Sequence, residues 1–363
     1  MRNILGEHLT VTLFGESHGE AIGAVIDGIS SGIKVDEDFI RSQLSLRRPV
    51  NSLSTPRRET DPFEIKSGVY NGYTTGTPIC IIIPNSDTRS SDYDRFKVTP
   101  RPSHADYTAI CRYNGFSDPR GGGHFSGRIT AAIVAAAAIV IPALNNKGIS
   151  IATHIKSIAD IQDRDFDDIV KDSQKLNRSE FAVLDDEAGE KMKAGIKNAL
   201  NDGDSVGGVL ETVVAGMPAG VGEPWFDTLE GVLAKALFSV PAVKGVEFGA
   251  GFGIASMRGS EANDPFCIKD GVVATLTNNS GGINGGISNG MPIVFRSAIR
   301  PTPTISKEQQ TVDLEKGENS TLEARGRHDP CIVHRARVVV DSITALALCD
   351  MLSIKFGTDW LAK

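Results

Sequence analysis

Arg120-Gly-Gly-Gly-His-Phe-Ser-Gly-Arg128 runs directly into Ile129-Thr-Ala-Ala-Ile-Val-Ala-Ala-Ala-Ala-Ile-Val-Ile-Pro-Ala-Leu144. The second part is the longest apolar run of a 363-residue chain, rich in alanine and interrupted by Pro142. A bilayer asks for about 20 apolar residues, so this run is short for a span and reads as a buried helix. A glycine run that opens a helix leaves backbone N–H groups able to approach an anion, and the helix dipole favours negative charge there. Arg101, Arg120 and Arg128 add fork-shaped cationic donors. His104, within Arg101-Pro-Ser-His-Ala-Asp-Tyr107, stands ready for proton transfer. The pattern points to a phosphorylated or carboxylated ligand; a flexible glycine loop with surface arginines is the alternative.

Composition narrows the class. A net charge of −7, with 40% hydrophobic and 23% charged residues, describes an ordinary globular chain of one or two domains. That balance argues against general affinity for nucleic acid or an anionic membrane, so the arginines must act locally. Five cysteines, odd in number and without close spacing, make neither a disulfide framework nor a zinc site, and no metal is expected. The start of the chain lacks the apolar core of a signal peptide, so a cytoplasmic location is expected.

Residues 9–14 and 22–26 read as strands, and Asp36 as the N-cap of a helix that runs to Leu46 and stops at Arg47-Arg48-Pro49. Residues 63–70 and 78–83 read as strands, with Asn71-Gly72 as turn chemistry. Residues 154–201 are more polar, end in a helix and read as a peripheral insertion. A helix near 227–238 places Leu229, Val232, Leu233, Ala236 and Leu237 on one face. Val25-Ile-Asp-Gly-Ile-Ser-Ser-Gly-Ile33 is echoed by Val213-Val-Ala-Gly-Met-Pro-Ala-Gly-Val221, and Gly76-Thr-Pro-Ile79 by Gly290-Met-Pro-Ile293. The echo suggests a single domain of two similar halves, about 9–145 and 206–350, each a sheet covered by helices.

Four constellations carry chemistry. Gly15-Glu16-Ser17-His18-Gly19 matches the pattern of a nucleophile elbow, but strand and turn follow where the elbow needs a helix. His18 makes better sense as an exposed acid or base with Ser17 beside it. His104 has Arg101 and Asp106 as opposed influences on its proton affinity. Gly326-Arg327-His328-Asp329-Pro330-Cys331 offers Asp329 as a base and Arg327 as an anion contact. Gly- and Pro-rich loops around Pro241-Ala242, Gly281 to Gly286 and Arg300-Pro-Thr-Pro-Thr304 allow close backbone approach to a planar or phosphorylated ligand.

Taken in order, these segments resemble the chorismate synthase family over nearly the whole chain. The resemblance rests on Phe14-Gly-Glu-Ser-His-Gly19, Arg47-Arg48-Pro49, Thr74-Thr-Gly-Thr77, His104-Ala-Asp-Tyr107, Arg120-Gly-Gly-Gly123 and Gly203-Asp-Ser205. It continues through Ala242-Val-Lys-Gly-Val-Glu247, Gly285-Gly-Ile-Ser288 and Gly326-Arg-His-Asp-Pro-Cys331. It implies an α+β fold, a layered β-α-β sandwich with two pseudo-symmetric halves, and a homotetramer. It implies anti 1,4-elimination of phosphate from 5-enolpyruvylshikimate 3-phosphate to give chorismate, the last common step of the shikimate pathway, dependent on reduced FMN without net redox change.

The resemblance also assigns roles. His18 would protonate the departing phosphate, His104 would sit near flavin N1, and Asp329 would work with flavin N5 in removing the C6 hydrogen. Ser17 and Ser126 would support the hydrogen-bond network. Arg47, Arg48, Arg101, Arg128 and Arg327 would neutralise the roughly five to six negative charges of substrate and flavin phosphate. Flavin contacts would come from His124, Phe125, Ser126, Pro241, Ala242, Gly285, Arg300, Pro301, Thr302, Pro303, Thr304 and Arg327. The chain departs from the family pattern at His124, where arginine is common, at Ser103 and Arg300, and at Leu53, where some members carry an arginine associated with NADPH (NADP) binding. Leu53 implies that reduced FMN comes from an external flavin reductase. Competing readings are a serine esterase using Ser17, a flavin oxidoreductase with net redox chemistry, and an RNA-binding module.

Overall fold

Apart from two helices at Ile169–Leu176 and Asp186–Asn201 inside the second half and shorter elements elsewhere, each half of the chain lays down the same main elements in order: two strands, a helix, two strands, a helix. In the first half these are β1 (Thr10–Gly15), β2 (Ala21–Asp27), α1 (Glu37–Ser45), β3 (Glu64–Ser67), β4 (Ile79–Pro84) and α2 (Thr130–Asn146). In the second they are β5 (Ser150–Ile158), β6 (Gly208–Ala215), α3 (Leu229–Ser239), β7 (Val243–Phe248), β8 (Ile293–Ile299) and α4 (Val333–Phe356). The computed structural model describes residues 3–48, 61–85, 95–177, 179–324 and 329–363. Both sheets are antiparallel, ordered β1-β2-β4-β3 and β5-β6-β8-β7, so the two halves share one strand order. The short strands Ile4–Leu5 and Ile161–Gln162 extend the β1 and β5 edges.

The four helices form the layer between the sheets. α2 lies against the first sheet and α4 against the second, α2 and α4 pack on each other, and α1 and α3 flank them. The apolar run therefore becomes a core helix: Ala131, Ala132 and Val134 through Val140 are fully buried, and four consecutive alanines let its neighbours approach closely. Its length and composition would suit a membrane span, yet its apolar surface is spent on protein.

Local chemistry explains the element ends. Asp36 Oδ1 accepts from the Phe39 N–H at 3.0 Å and caps α1. Asn71 and Gly72 take φ of 49° and 78° and turn a small hairpin, as two positive-φ residues should. On β4, Ile79, Ile81 and Ile83 are fully buried and alternate with partly exposed Cys80 and Ile82.

The segment expected as a peripheral insertion at 154–201 begins inside β5, a strand paired along its length with β6. Its helix, Asp186–Asn201, adds Met192 and Ile196 to the main core. One polar residue of β5, His154, belongs to a charged row across the sheet. His154, Glu211, Arg296 and Glu247 are register partners on β5, β6, β8 and β7. His154 Nδ1 lies 2.8 Å from Asp163 Oδ2 and Nε2 lies 3.2 Å from Glu211 Oε1, with the imidazole fully buried.

Burial disfavours the His154 cation, but the two carboxylates outweigh it and raise its pKa. A raised folded-state pKa means this stabilisation is complete below the ordinary histidine value of about 6.5 and is lost as pH rises through the folded value. We expect the melting temperature to fall as pH is raised above neutrality and His154→Asn to flatten that slope. The substitution should also cost about 3–5 kcal/mol by stranding buried carboxylates. Scanning fluorimetry across pH reads both; parallel wild-type and variant slopes would contradict the assignment.

Candidate active site

A cavity of about 330 Å³ opens where α1 and α3 end and α2 and α4 begin. Equivalent positions of the two halves thus face each other across it. One wall carries Arg47 and Arg48 from the end of α1, with Gly121 and Phe125 through Arg128 ahead of α2. The other carries Val240 to Ala242 after α3, Arg300 and Thr302 to Thr304 after β8, and Asp329 and Arg335 at the entry to α4. Five arginines face two aspartates, Asp61 and Asp329, among the described lining residues. A net-acidic chain has gathered positive charge at one hollow, the pattern expected of a pocket for polyanions.

The arginines are held in place. Arg47 donates to Thr130 Oγ1 at 3.2 Å, Gly127 O at 3.1 Å and Asp61 Oδ2 at 3.2 Å. Arg128 donates to Asn85 Oδ1 at 3.0 Å, Pro84 O at 3.2 Å and Asp61 Oδ1. Arg300 reaches Ser103 O at 2.6 Å, and Arg335 bridges Asp329 Oδ2 at 2.5 Å and Arg47 O at 2.7 Å.

His104 separates this cavity from a second of about 250 Å³. Its Nδ1 is 2.6 Å from Asp106 Oδ1, and Asp106 also accepts from Arg101 Nε at 2.8 Å and Nη2 at 2.7 Å. Burial alone would raise the Asp106 carboxyl, but hydrogen bonds from Arg101 and His104 hold it well below the usual carboxylate range. An ionised carboxylate only accepts, so His104 Nδ1 is the donor and Nε2 is left to exchange a proton. That nitrogen faces Gly122, where an added Cβ would stand 3.7 Å away.

The family model described as chorismate synthase matches residues 9–353. The chain belongs to the chorismate synthase family. A chorismate synthase of Dehalococcoides mccartyi is 47% identical over 354 residues, covering 97% of this chain and 96% of that protein. One of Archaeoglobus fulgidus is 48% identical over 350 residues, covering 96% and 97%. A crystal structure of chorismate synthase aligns with a TM-score of 0.78 at 30% identity, covering 98% of this chain and 95% of that one. The enzyme is accordingly a carbon–oxygen lyase acting on phosphate, and the layered α+β fold is that of chorismate synthase.

Most site residues expected from sequence meet at this chorismate synthase cavity: Arg47, Arg48, His104, Phe125, Ser126, Arg128, Pro241, Ala242, Arg300, Thr302, Pro303, Thr304 and Asp329. His18 and Ser17 stand one residue behind it. A Cβ on Gly121, whose φ is 61°, would lie 2.5 Å from His18 Nε2 and 2.8 Å from Ser17 Oγ, so only glycine lets both reach the rim. His18 is buried rather than exposed, and β2 follows this turn instead of the helix that a serine esterase elbow needs.

The packing places four of the expected residues away from this cavity. Arg101 is spent on Asp106, with its guanidinium 4.4 Å from the Phe96 ring centroid, and does not line the cavity. His124 turns its Nδ1 to Gly15 O at 2.8 Å and lines a separate apolar hollow. Gly285 sits exposed between the paired segments Ile283–Asn284 and Ile287–Ser288, away from the cavity. Pro301 is exposed and takes the place a Cβ on Gly207 would need. Arg327 and Leu53 lie outside the described residues. Sequence reasoning missed Asp61 and Arg335. Asp61 gave no signal in sequence, whereas Arg335 follows Asp329 by six residues at the entry to a helix and could have been weighed as its partner.

Proposed function

We propose that this cavity binds 5-enolpyruvylshikimate 3-phosphate beside reduced FMN and carries out the anti 1,4-elimination that releases phosphate and forms chorismate. The observation that carries the reading is the convergence of Arg47, Arg128, Arg300, Arg335, His104 and Asp329 on one hollow. Substrate and flavin phosphate bring roughly five to six negative charges, and burying them without cations would cost many kcal/mol.

The residues fit a flavin. Thr302 Oγ1 is buried at the cavity without a protein partner among the described residues, an acceptor or donor awaiting a ligand. Phe125, Pro241 and Ala242 supply apolar wall, with Arg300 and Thr304 as polar contacts. When bound, reduced FMN supplies the electron density that lets phosphate leave an unactivated allylic carbon without net redox change. The protein's part is electrostatics and proton transfer. Arg47, Arg48 and Arg128 hold the anionic substituents, and Arg327 joins them by resemblance to the family. His18 gives a proton to the departing phosphate, and Ser17 and Ser126 support the hydrogen-bond network by resemblance to the family. His104, held by Asp106, manages the proton at flavin N1, and Asp329 assists removal of the C6 hydrogen at flavin N5.

The reading includes a homotetramer in the cytoplasm. Phe252, Phe266, Ile268 and Leu276 are 70–87% exposed, apolar surface that subunit contacts would cover. Reduced flavin comes from an external reductase. Anaerobic incubation of the pure protein with substrate and photoreduced FMN should yield chorismate and phosphate one for one, with the flavin still reduced. NADPH with oxidised FMN should yield neither. Net flavin oxidation in step with turnover would favour an oxidoreductase and overturn the reading; turnover on NADPH would overturn the external supply.

A further inference from the structure

Asp61 has no place in the chemistry just described, yet it sits on the cavity wall with only 5% of its surface exposed. Its two oxygens are divided between two arginines, Oδ2 to Arg47 Nη1 at 3.2 Å and Oδ1 to Arg128 Nη1. These arginines come from different elements, Arg47 from the end of α1 and Arg128 from the turn before α2. Both are nearly buried, so their charges would drive the side chains apart without a shared counter-ion. The backbone is shaped to deliver the carboxylate: Asp61 takes a φ of 46°, in the left-handed region where aspartate is among the better-tolerated residues.

We propose that Asp61 is a positioning residue, whose carboxylate sets the spacing and orientation of Arg47 and Arg128 as a two-armed receptor for an anionic substituent of the substrate. Neutralisation alone would not need one oxygen per guanidinium. The remaining anchors, Thr130 and Gly127 for Arg47 and Asn85 and Pro84 for Arg128, tie the end of α1 to the turn that carries Arg128 and that turn to the end of β4, and Asp61 alone among these acceptors is common to both guanidinium groups. The inference rests on the proposed reaction, because it assigns those arginines to the substrate.

The readout is steady-state turnover of the enolpyruvyl substrate under anaerobic, prereduced conditions, with reduced-flavin affinity measured separately. Asp61→Asn should raise KM roughly 10- to 100-fold, the usual effect of losing charge-assisted bonds, with a smaller change in kcat and unaltered flavin affinity. Asp61→Glu keeps the charge but moves it by a methylene, and should also raise KM. A carboxylate that merely neutralises charge predicts wild-type KM for Asp61→Glu and a lowered KM for Asp61→Asn, since the anion would meet more positive charge; either result overturns the proposal. Should Asp61→Asn fail to fold, Asp61→Glu decides alone. An inactive wild type would sink the proposed reaction instead, so the two failures are distinguishable.

Discussion

Replacing His104 by alanine is expected to lower turnover by roughly two to four orders of magnitude, the range for losing a positioned acid or base. The physical case is the Arg101–Asp106–His104 chain. Asp106 grips Arg101 through both carboxylate oxygens and accepts from His104 through one of them, so the imidazole can be removed while the Arg101–Asp106 pair remains. The variant should therefore fold and still bind substrate, with the loss falling on kcat. Stopped-flow turnover, with circular dichroism as the folding check, measures it. A folded variant at near-normal rate would remove His104 from proton transfer.

Asp329→Asn carries the second large effect, a comparable fall in rate concentrated in loss of the C6 hydrogen. Asparagine can still accept the hydrogen bond from Arg335, whose 2.5 Å contact with Asp329 ties the start of α4 to the cavity. The wall therefore keeps its shape while the base is lost. Substrate and flavin affinity should stay within a few-fold, and a deuterium label at C6 should slow the variant more than the wild type. An unchanged rate, or an unchanged isotope effect, would place the base elsewhere.

Much of this was legible because the deciding signals are local. Asp36 announces α1, Asn71-Gly72 announces a turn, and alternating isoleucines announce β4; each rests on chemistry between near neighbours. The echo between Val25 to Ile33 and Val213 to Val221 marked β2 and β6 as counterparts, and the two sheets share a strand order. β5 escaped because it buries consecutive residues on both faces, and its one charged-row member, the buried His154, finds its partners only once four strands align, so the usual polar–apolar alternation is absent. The strand Ser150–Ile158, which pairs with β6, lies ahead of the segment at 206 where the echo drew the second half.

Side-chain direction was the other limit. The glycine run and its arginines pointed to an anion site, but whether an arginine faces a ligand or a carboxylate depends on neighbours distant in sequence. Arg101 faces Asp106, Arg120 faces Asp118, and Arg47 shares Asp61 with Arg128. His124 turns away from the cavity because Gly15 O offers its Nδ1 a partner.

The central claim is that one cationic hollow holds the enolpyruvyl substrate against the isoalloxazine ring with imidazole and carboxylate at its edge. A crystal structure of the ternary complex with FMN and 5-enolpyruvylshikimate 3-phosphate tests it most directly. The expected result is both ligands between the Gly121–Arg128 turn and the Arg300–Thr304 strip, with His104 Nε2 and the Asp329 carboxylate within hydrogen-bond reach of flavin or substrate. Flavin or substrate bound elsewhere, with this hollow left to solvent, would contradict it.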